Sequence, residues 1–599
     1  MKSSFIKEKI NNPFVLAILT LFVSISLAIY MIGLSRINIY NITWITGDMA
    51  QVFTAWGQFF SENHSFFDLT TNRLSYPLDI SIALFDPMPI LVQLAKPFVN
   101  FFFFFFQYIG IYLALCIILQ GYFGFLVIWY SIQGQNFKVK DNFLISLFGS
   151  LFFMFAPYTL ARMQGHIALS SQWLLVLGIL LNIKFYISSK YKNTFLHALF
   201  LFVVAGFNPY LAIMALLTPF SILLISFIKK QINFVFFFTS CVILVTFLGL
   251  SFYIFGFLGA SGGGIHGGYG MYSMNLLALI DPNHFRSIIF PDIPSSIVEQ
   301  YFEGFQYQGF GLLLILIIGL LFLKKSAYHN TINLQISFQS ITLVLIISFI
   351  LSLSNIITVA DILTIKIPLP SFIESLLSKF RSSGRFFWIG GFWLIVLSFL
   401  LIIKSFKINQ VLVILFVASL IQIIDVFGVV NGAKAHFNGL KSKYINDPFI
   451  DSLTKDNKLD SIMVIPPWQC DPNKTPGGVN NFETLGLLAL SNRLPINNFY
   501  AARTPKNQSQ YHCKQDSIFT FKPKNDIFYI LSEKEFNLRK KLFLNNGFRC
   551  KHIIAYSSDY YMCIYQNVLD DHTIFANNEN KKEWLINTTS NSVFYLDNG

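Results

Sequence analysis

Charge is scarce in this chain. Asp, Glu, Lys and Arg together make up 12% of its 599 residues, against about 25% in an average soluble domain. That shortage excludes a soluble globular protein, which needs far more charge to face water. Cysteine is scarce too, at six, and no spacing among the six resembles a zinc ribbon. The N-terminus lacks the short apolar core and small-residue cleavage site of a secretory signal. No internal repeat is visible.

What is present is hydrocarbon. The chain is 54% hydrophobic with 68 Phe, and its mean hydropathy is +0.57. Apolar runs of roughly 20 residues recur, and in lipid such runs satisfy their backbone as membrane-crossing helices. The run from Pro13 to about Leu34 is too long for a signal and reads as a retained first helix. Further spans are expected at roughly 107–131, 142–158, 168–187, 194–207, 210–228, 232–256, 309–323, 335–354, 387–403 and 409–427, eleven in all. The segment 82–106, with its phenylalanine run Phe101–Phe106, is apolar but interrupted by Asp86, Pro87, Pro89, Lys96 and Pro97. That pattern suits helices lying at the membrane interface. The expected fold is an all-α polytopic membrane domain spanning 1–429, followed by a soluble α/β domain over 430–599.

Loop charge sets the orientation. With the N-terminus inside, the inner segments 1–12, 133–141, 184–193, 229–231, 324–334 and 404–408 hold 14 lysines against Glu8 and Asp141. The positive-inside rule asks for that bias. All ten arginines fall outside: Arg36, Arg73, Arg162, Arg286, Arg381, Arg385, Arg493, Arg503, Arg539 and Arg549. The net +13 is therefore mostly topology plus a mildly basic outer face, and nothing suggests nucleic acid. An odd number of spans puts the C-terminal domain outside as well. Its strand-like runs "SIMVIPPW", "DIFYIL" and "YYMCIYQ" are separated by turn residues. It also holds four of the six cysteines, an even set that reads as two disulfides in an oxidising compartment. Three pairings are open; chain order favours Cys470–Cys513 and Cys550–Cys563.

The outer loops 36–106, 257–308 and 355–386 are long, and their inner counterparts are about ten residues or fewer. Long loops in a compact domain are usually functional. In the first, Asp48 and Asp86 lie against apolar segments, with Glu62, Asp68 and Asp79 nearby. Either acid suits a helix N-cap, and a cap does not preclude catalysis. Pro87 after Asp86 fits a first helical turn. The second loop carries His266 and Asp281 in a glycine-rich stretch that could order over a donor or acceptor. The turn "APYTLARMQGHIALSSQW" sets Arg162, Gln164 and His166 beside hydrocarbon, where a charge needs a partner or must snorkel. In "FRSSGRFFW", Arg381 and Arg385 are four apart and suit a phosphate or an anionic headgroup.

These stretches together resemble the GT-C superfamily, integral-membrane glycosyltransferases that use polyprenyl-phosphate-linked sugars. The likeness rests on "TGDMAQVFTAWGQFF", "YPLDISIALFDPMPILVQL", "RMQGHIALSSQWLLVLGI" and "FRSSGRFFW", and covers roughly residues 10–430. It implies that Asp48 is the catalytic base, with Asp86 matching a second acid. Arg162 or His166 and Arg381 or Arg385 then correspond to phosphate-binding groups. Asp48 is followed by Met49 rather than a second acid, and the W-W-D signature of oligosaccharyltransferases is absent. Transfer of a whole oligosaccharide to asparagine is therefore not expected, and a divalent metal is left open as the sole cofactor.

The expected activity is inverting transfer of a monosaccharide to a cell-surface glycan such as an O-antigen, at the outer face of a bacterial inner membrane. The partners expected are a lipid-linked sugar donor, a glycan acceptor and the bilayer. The chief rival is a flippase of a lipid-linked saccharide, for which Asp425 and Asn208-Pro209 are the nearest intramembrane polar sites. A membrane O-acyltransferase is a weaker rival, since no histidine stands out in a cytoplasm-facing span.

Overall fold

The computed structural model describes residues 12–566, except 66, 102–105, 134, 136, 187–189, 259–268, 285, 324–336, 443–458, 471–480, 502–503, 514–521 and 556–557. By contacts the chain forms two compact units, each discontinuous in sequence. One comprises Met1–Ile39, Tyr108–Phe252 and His266–Gly439; the other comprises Tyr40–Gln107, Tyr253–Ile265 and Leu440–Gly599.

The first unit is largely helical. Among the described residues, eight helices are long and apolar enough to cross a membrane: Pro13–Ile32, Ile109–Ser131, Val139–Arg162, Ile167–Lys184, Pro209–Ile228, Phe234–Ile254, Ser383–Ser405 and Ile408–Gly439. Three more apolar helices stand where spans are predicted but are shorter, at 17 residues for Tyr191–Phe207, 12 for Phe310–Leu321 and 16 for Phe338–Leu353. At 1.5 Å per residue the shortest falls well below the roughly 30 Å of a hydrocarbon core. The helices pack through small residues, as membrane helices do in the absence of a hydrophobic drive between them. A Cβ on Gly124 would come within 2.7 Å of Phe153, and one on Gly149 within 2.4 Å of Ile128. Ile109–Ser131 and Val139–Met154 therefore approach closely only because both positions lack a side chain.

The second unit is built on a four-stranded sheet. Its strands are β1 (Ser461–Ile465), β2 (Ile527–Leu531), β3 (Phe548–Ala555) and β4 (Ser558–Tyr565), in the spatial order β1-β2-β4-β3. The β1–β2 pair is parallel and the others antiparallel. Alternation along the strands divides the core into two layers. Ile462, Val464, Phe528 and Ile530 pack with Leu485 and Leu488 of the helix Phe482–Ser491 on one side. Ile527, Tyr529 and Leu531 pack with Phe536 and Phe543 of the helix Glu533–Asn545 on the other. Both disulfides join the expected partners, Cys470–Cys513 and Cys550–Cys563. Cys550 and Cys563 face each other directly in the β3–β4 register.

The first outer loop belongs to this second unit. Its helix Gly47–Phe59 lies on Phe482–Ser491 with Gly57 against Leu490, where a Cβ would sit 2.5 Å from Leu490 Cδ1. The chain at 73–76 pairs with Ile496: Tyr76 N donates to Ile496 O at 3.1 Å and Ile496 N to Arg73 O at 2.8 Å. Gln58 Nε2 donates to Leu494 O at 2.8 Å, and Gln508 Nε2 to Asp79 O at 2.8 Å. The described residues of segment 82–106 form short helical pieces, Ile82–Phe85, Pro89–Ala95 and Lys96–Phe101, none long enough to cross a bilayer.

Candidate functional site

In the helical unit, three of the residues singled out from sequence meet at an acid that sequence reasoning passed over. Glu303 ends the short helix Gln300–Glu303, just ahead of the apolar helix Phe310–Leu321. Arg162 closes Pro157–Arg162, whose Pro157 opens the helix where no N–H is needed. Arg385 lies in the 3₁₀ turn Ser383–Phe386. Arg162 Nη1 and Nη2 donate to Glu303 Oε1 and Oε2 at 3.3 and 2.9 Å. Arg385 Nη2 and Nε donate to the same oxygens at 2.6 and 2.5 Å. His166 Nε2 lies 3.8 Å from Oε1.

The Arg162 and Glu303 side chains are 3% and 8% exposed. Gly384 makes the close approach possible: its N donates to Tyr272 O at 3.0 Å, and a Cβ there would sit 2.9 Å from Glu303 O. Gln306 Nε2 donates to Gly384 O at 2.7 Å and holds the turn from the other side.

Aromatic rings back the guanidiniums. Arg162 lies 4.3 Å from the Phe302 ring centroid, Arg385 4.9 Å from Tyr210, Arg381 5.5 Å from Tyr272 and Arg286 4.7 Å from Phe305. Such stacking holds an arginine without neutralising it. One carboxylate between Arg162 and Arg385 leaves net positive charge, to which exposed Arg381 adds. Burial would raise the Glu303 carboxyl, but Arg162 and Arg385 outweigh it and hold the group well below the usual carboxylate range. Burial, then Arg385 and Arg162, push His166 down to about 3. Its side chain keeps 31% exposure, and the guanidiniums act in the same direction as burial. His166 is therefore a neutral imidazole at physiological pH, and the arginines carry the positive charge.

Arg162, His166 and Arg385 thus come together, and Arg162 pairs with Glu303, an acid not among the partners considered from sequence. Arg381 stands exposed at the edge of the same turn. Gln164 is half-buried in the Arg162–His166 turn. Asp281 accepts from Asn283 N and Ile293 N at 3.0 and 3.1 Å, so it shapes its own loop. Burial raises its carboxyl in spite of those bonds. His266 lies outside the described residues.

The two first-loop acids belong to the other unit. Asp48 occupies the first turn of Gly47–Phe59, where a carboxylate favours the helix dipole, but the N-cap is Thr46. Gly47 takes φ +56° to turn the chain into the helix. Asp86 does not start the interfacial helix: it follows Ile82–Phe85 with left-handed backbone, φ 61° and ψ 27°. The helix begins two residues later than the sequence suggests, at Pro89 with Met88 as N-cap. The Asp-Pro pair marks a turn here, and the second proline supplies the first helical position. Among the described residues, no three His, Cys, Asp or Glu side chains gather where they could hold a metal.

Comparison with known families places the chain. It belongs to the family described as a domain of unknown function, DUF6311, whose model matches residues 21–427. The C-terminal domain of that family matches residues 450–565. No curated protein matches the chain.

Proposed function

We propose that this DUF6311 protein is an inverting membrane glycosyltransferase of the GT-C type. It would move a monosaccharide from a polyprenyl phosphate, undecaprenyl phosphate in a bacterial cell, to a hydroxyl of a lipopolysaccharide O-antigen or similar glycan. In this reading the three shorter apolar helices also cross, giving eleven spans. With the N-terminus inside, as the lysine bias of the inner loops asks, the odd count puts the C-terminal domain outside.

The observation that carries the reading is the Arg162–Glu303–Arg385 cluster. When the acceptor oxygen attacks the anomeric carbon, the bond from that carbon to the phosphate oxygen breaks and the lipid phosphate gains charge. Fixed guanidiniums in a poorly hydrated setting stabilise that charge without reorganising, commonly the largest catalytic effect. Glu303 orients the two arginines while leaving them in charge excess. Asp48 takes the acceptor's proton, a contribution of about 10²–10⁴-fold. The two groups belong to separate units, and the proposal assigns each its chemical task alone.

The flippase reading gains no support from Asp425. Its carboxylate accepts from Tyr307 Oη at 2.7 Å and Phe310 N at 2.9 Å, and from Ser287 Oγ, so it fastens a helix start.

The test is transfer in nanodiscs from a synthetic, radiolabelled polyprenyl-phosphate sugar, run with and without a chelator. Wild type should release free polyprenyl phosphate, and Arg385→Gln should do so at least about 10²-fold more slowly. No turnover of any such donor by wild type, with lipid-linked saccharide moved across the bilayer instead, would replace this reading with the flippase.

A further inference from the structure

The segment between the apolar helices Phe338–Leu353 and Ser383–Ser405 carries an apolar surface that the proposed chemistry leaves unused. It folds as a hairpin of strands Ile356–Val359 and Leu363–Lys366, then as the short helix Ser371–Leu377. Both ends of the segment are fastened at helix ends. Ile367 N donates to Asn355 O at 2.8 Å, just past Leu353. Ser382 N donates to Tyr210 Oη at 3.2 Å, in the first turn of Pro209–Ile228. Pro209–Ile228 and Ser383–Ser405 are both long enough to cross a membrane, so the segment stays close to the level at which such helices leave hydrocarbon.

Two features point to what covers it. In the hairpin, Thr358 and Thr364 are cross-strand partners and share a face. That face turns to the protein: Thr358 Oγ1 donates to Gln300 Oε1 at 2.9 Å, and Thr364 Oγ1 lies 3.1 Å from Ser296 Oγ. Leu363 and Ile365 alternate onto the opposite face and are each 47% exposed, while Ile362 at the turn is 86% exposed. A hairpin in water runs the other way, apolar in and polar out. Ile357, paired with Ile365 on the apolar face, packs beside Leu353 and Phe387, so that face is continuous with the helix ends.

The helix repeats the pattern. No residue of Ser371–Leu377 is buried, yet Phe372, Ile373, Leu376, Leu377 and then Phe380 fall on one stripe at helical spacing. Phe372 and Leu376 are 73% and 61% exposed. Ser371, Glu374, Ser375 and Ser378 take the other side. An amphipathic helix whose apolar stripe meets no protein has the pattern of one lying in the membrane interface. Lys366 and Lys379 against Asp361 and Glu374 balance in charge, so apolar burial rather than headgroup pairing is the driving force.

We infer that residues 361–380 lie on the bilayer at this end of the helices, with Ile362, Phe372 and Leu376 inserted beneath the lipid headgroups. Arg381, which follows directly, then stands at the depth of the lipid phosphates. The inference goes beyond the transferase reading and does not rest on it.

The test uses the full-length protein in phosphatidylcholine nanodiscs, with Cys116→Ala and Cys241→Ala removing the two free thiols. A nitroxide is attached at one added cysteine at a time. Electron paramagnetic resonance then compares collisions with oxygen, which concentrates in hydrocarbon, and with a neutral nickel chelate, which stays in water. Oxygen should dominate several-fold at Ile362→Cys, Phe372→Cys and Leu376→Cys, and the nickel chelate at Ser371→Cys and Glu374→Cys. All five positions are exposed, so the label disturbs no packing, and the hairpin and helix report independently. Nickel access at the apolar positions equal to that at the polar ones would place the segment in water and overturn the inference. Exclusion of both reagents from the apolar positions would show a protein there, a second copy or another partner, and would overturn it as well.

Discussion

Glu303→Gln is the most informative perturbation of the helical unit, because it removes one charge and almost no volume. The carboxylate receives four N–H donors from two arginines, at 2.5 to 3.3 Å. At roughly 4 Å between charge centres and an effective dielectric of about 20, each attraction is on the order of 4 kcal/mol. The mutant recovers the cost of dehydrating the carboxylate but leaves two buried guanidiniums facing each other. Breaking a buried pair from one side costs about 3–5 kcal/mol, and that is the loss expected.

The assay is equilibrium unfolding in mixed micelles, with exposed Glu374→Gln as the control. Adding Arg162→Met to Glu303→Gln should recover part of the loss, since it removes the repulsion, and the double-mutant cycle measures how much. A single-mutant cost below about 1 kcal/mol, matching the surface control, would show that Glu303 does not organise the arginines. Acid gives a second reading. The Glu303 carboxyl is held below its usual range in the folded state. Its share of stability is therefore complete above the unfolded value of about 4.3 and is lost only as pH falls below it.

His166 is pushed down to about 3, so the unfolded chain binds the extra proton between that value and about 6.5. Stability should therefore fall as pH drops below about 6.5, and an unfolding series in His166→Gln should lack that component. Gly384→Ala places a Cβ 2.8 Å from Gly304 Cα, and overpacking of about 1–3 kcal/mol should appear in the unfolding assay. Replacing Cys470 and Cys513 by alanine opens a separation of 43 residues, and replacing Cys550 and Cys563 one of 13. Loop entropy puts the losses at about 4 and about 3 kcal/mol. Denaturant midpoints in the reverse order would contradict that account.

Much of this was legible in the sequence for physical reasons. Membrane segments show through because a backbone in lipid has few alternatives to the helix, so the run Ile109–Ser131 announces itself. The disulfide partners followed chain order, and the β3–β4 hairpin makes one of them a direct cross-strand pair. Other features depend on contacts that no periodicity carries. Tyr76 bonds Ile496 across 420 positions of chain, and this pairing folds the first outer loop into the C-terminal unit. Glu303 drew no attention in the sequence, although a charge set among the aromatics of "QYFEGFQYQGF" signals a buried partner. The arginines were visible because hydrocarbon surrounds them in sequence. The Asp86 turn was misread because Asp-Pro can open a helix or a turn, and the next two residues decide which.

The central claim is that Asp48 is the base of a sugar transfer, and single-turnover transfer by Asp48→Asn beside wild type tests it most directly. The substitution keeps the shape of the first helical turn and removes the proton acceptor. The account predicts transfer slowed by about 10²–10⁴-fold with donor binding retained. Transfer by Asp48→Asn at the wild-type rate would contradict it.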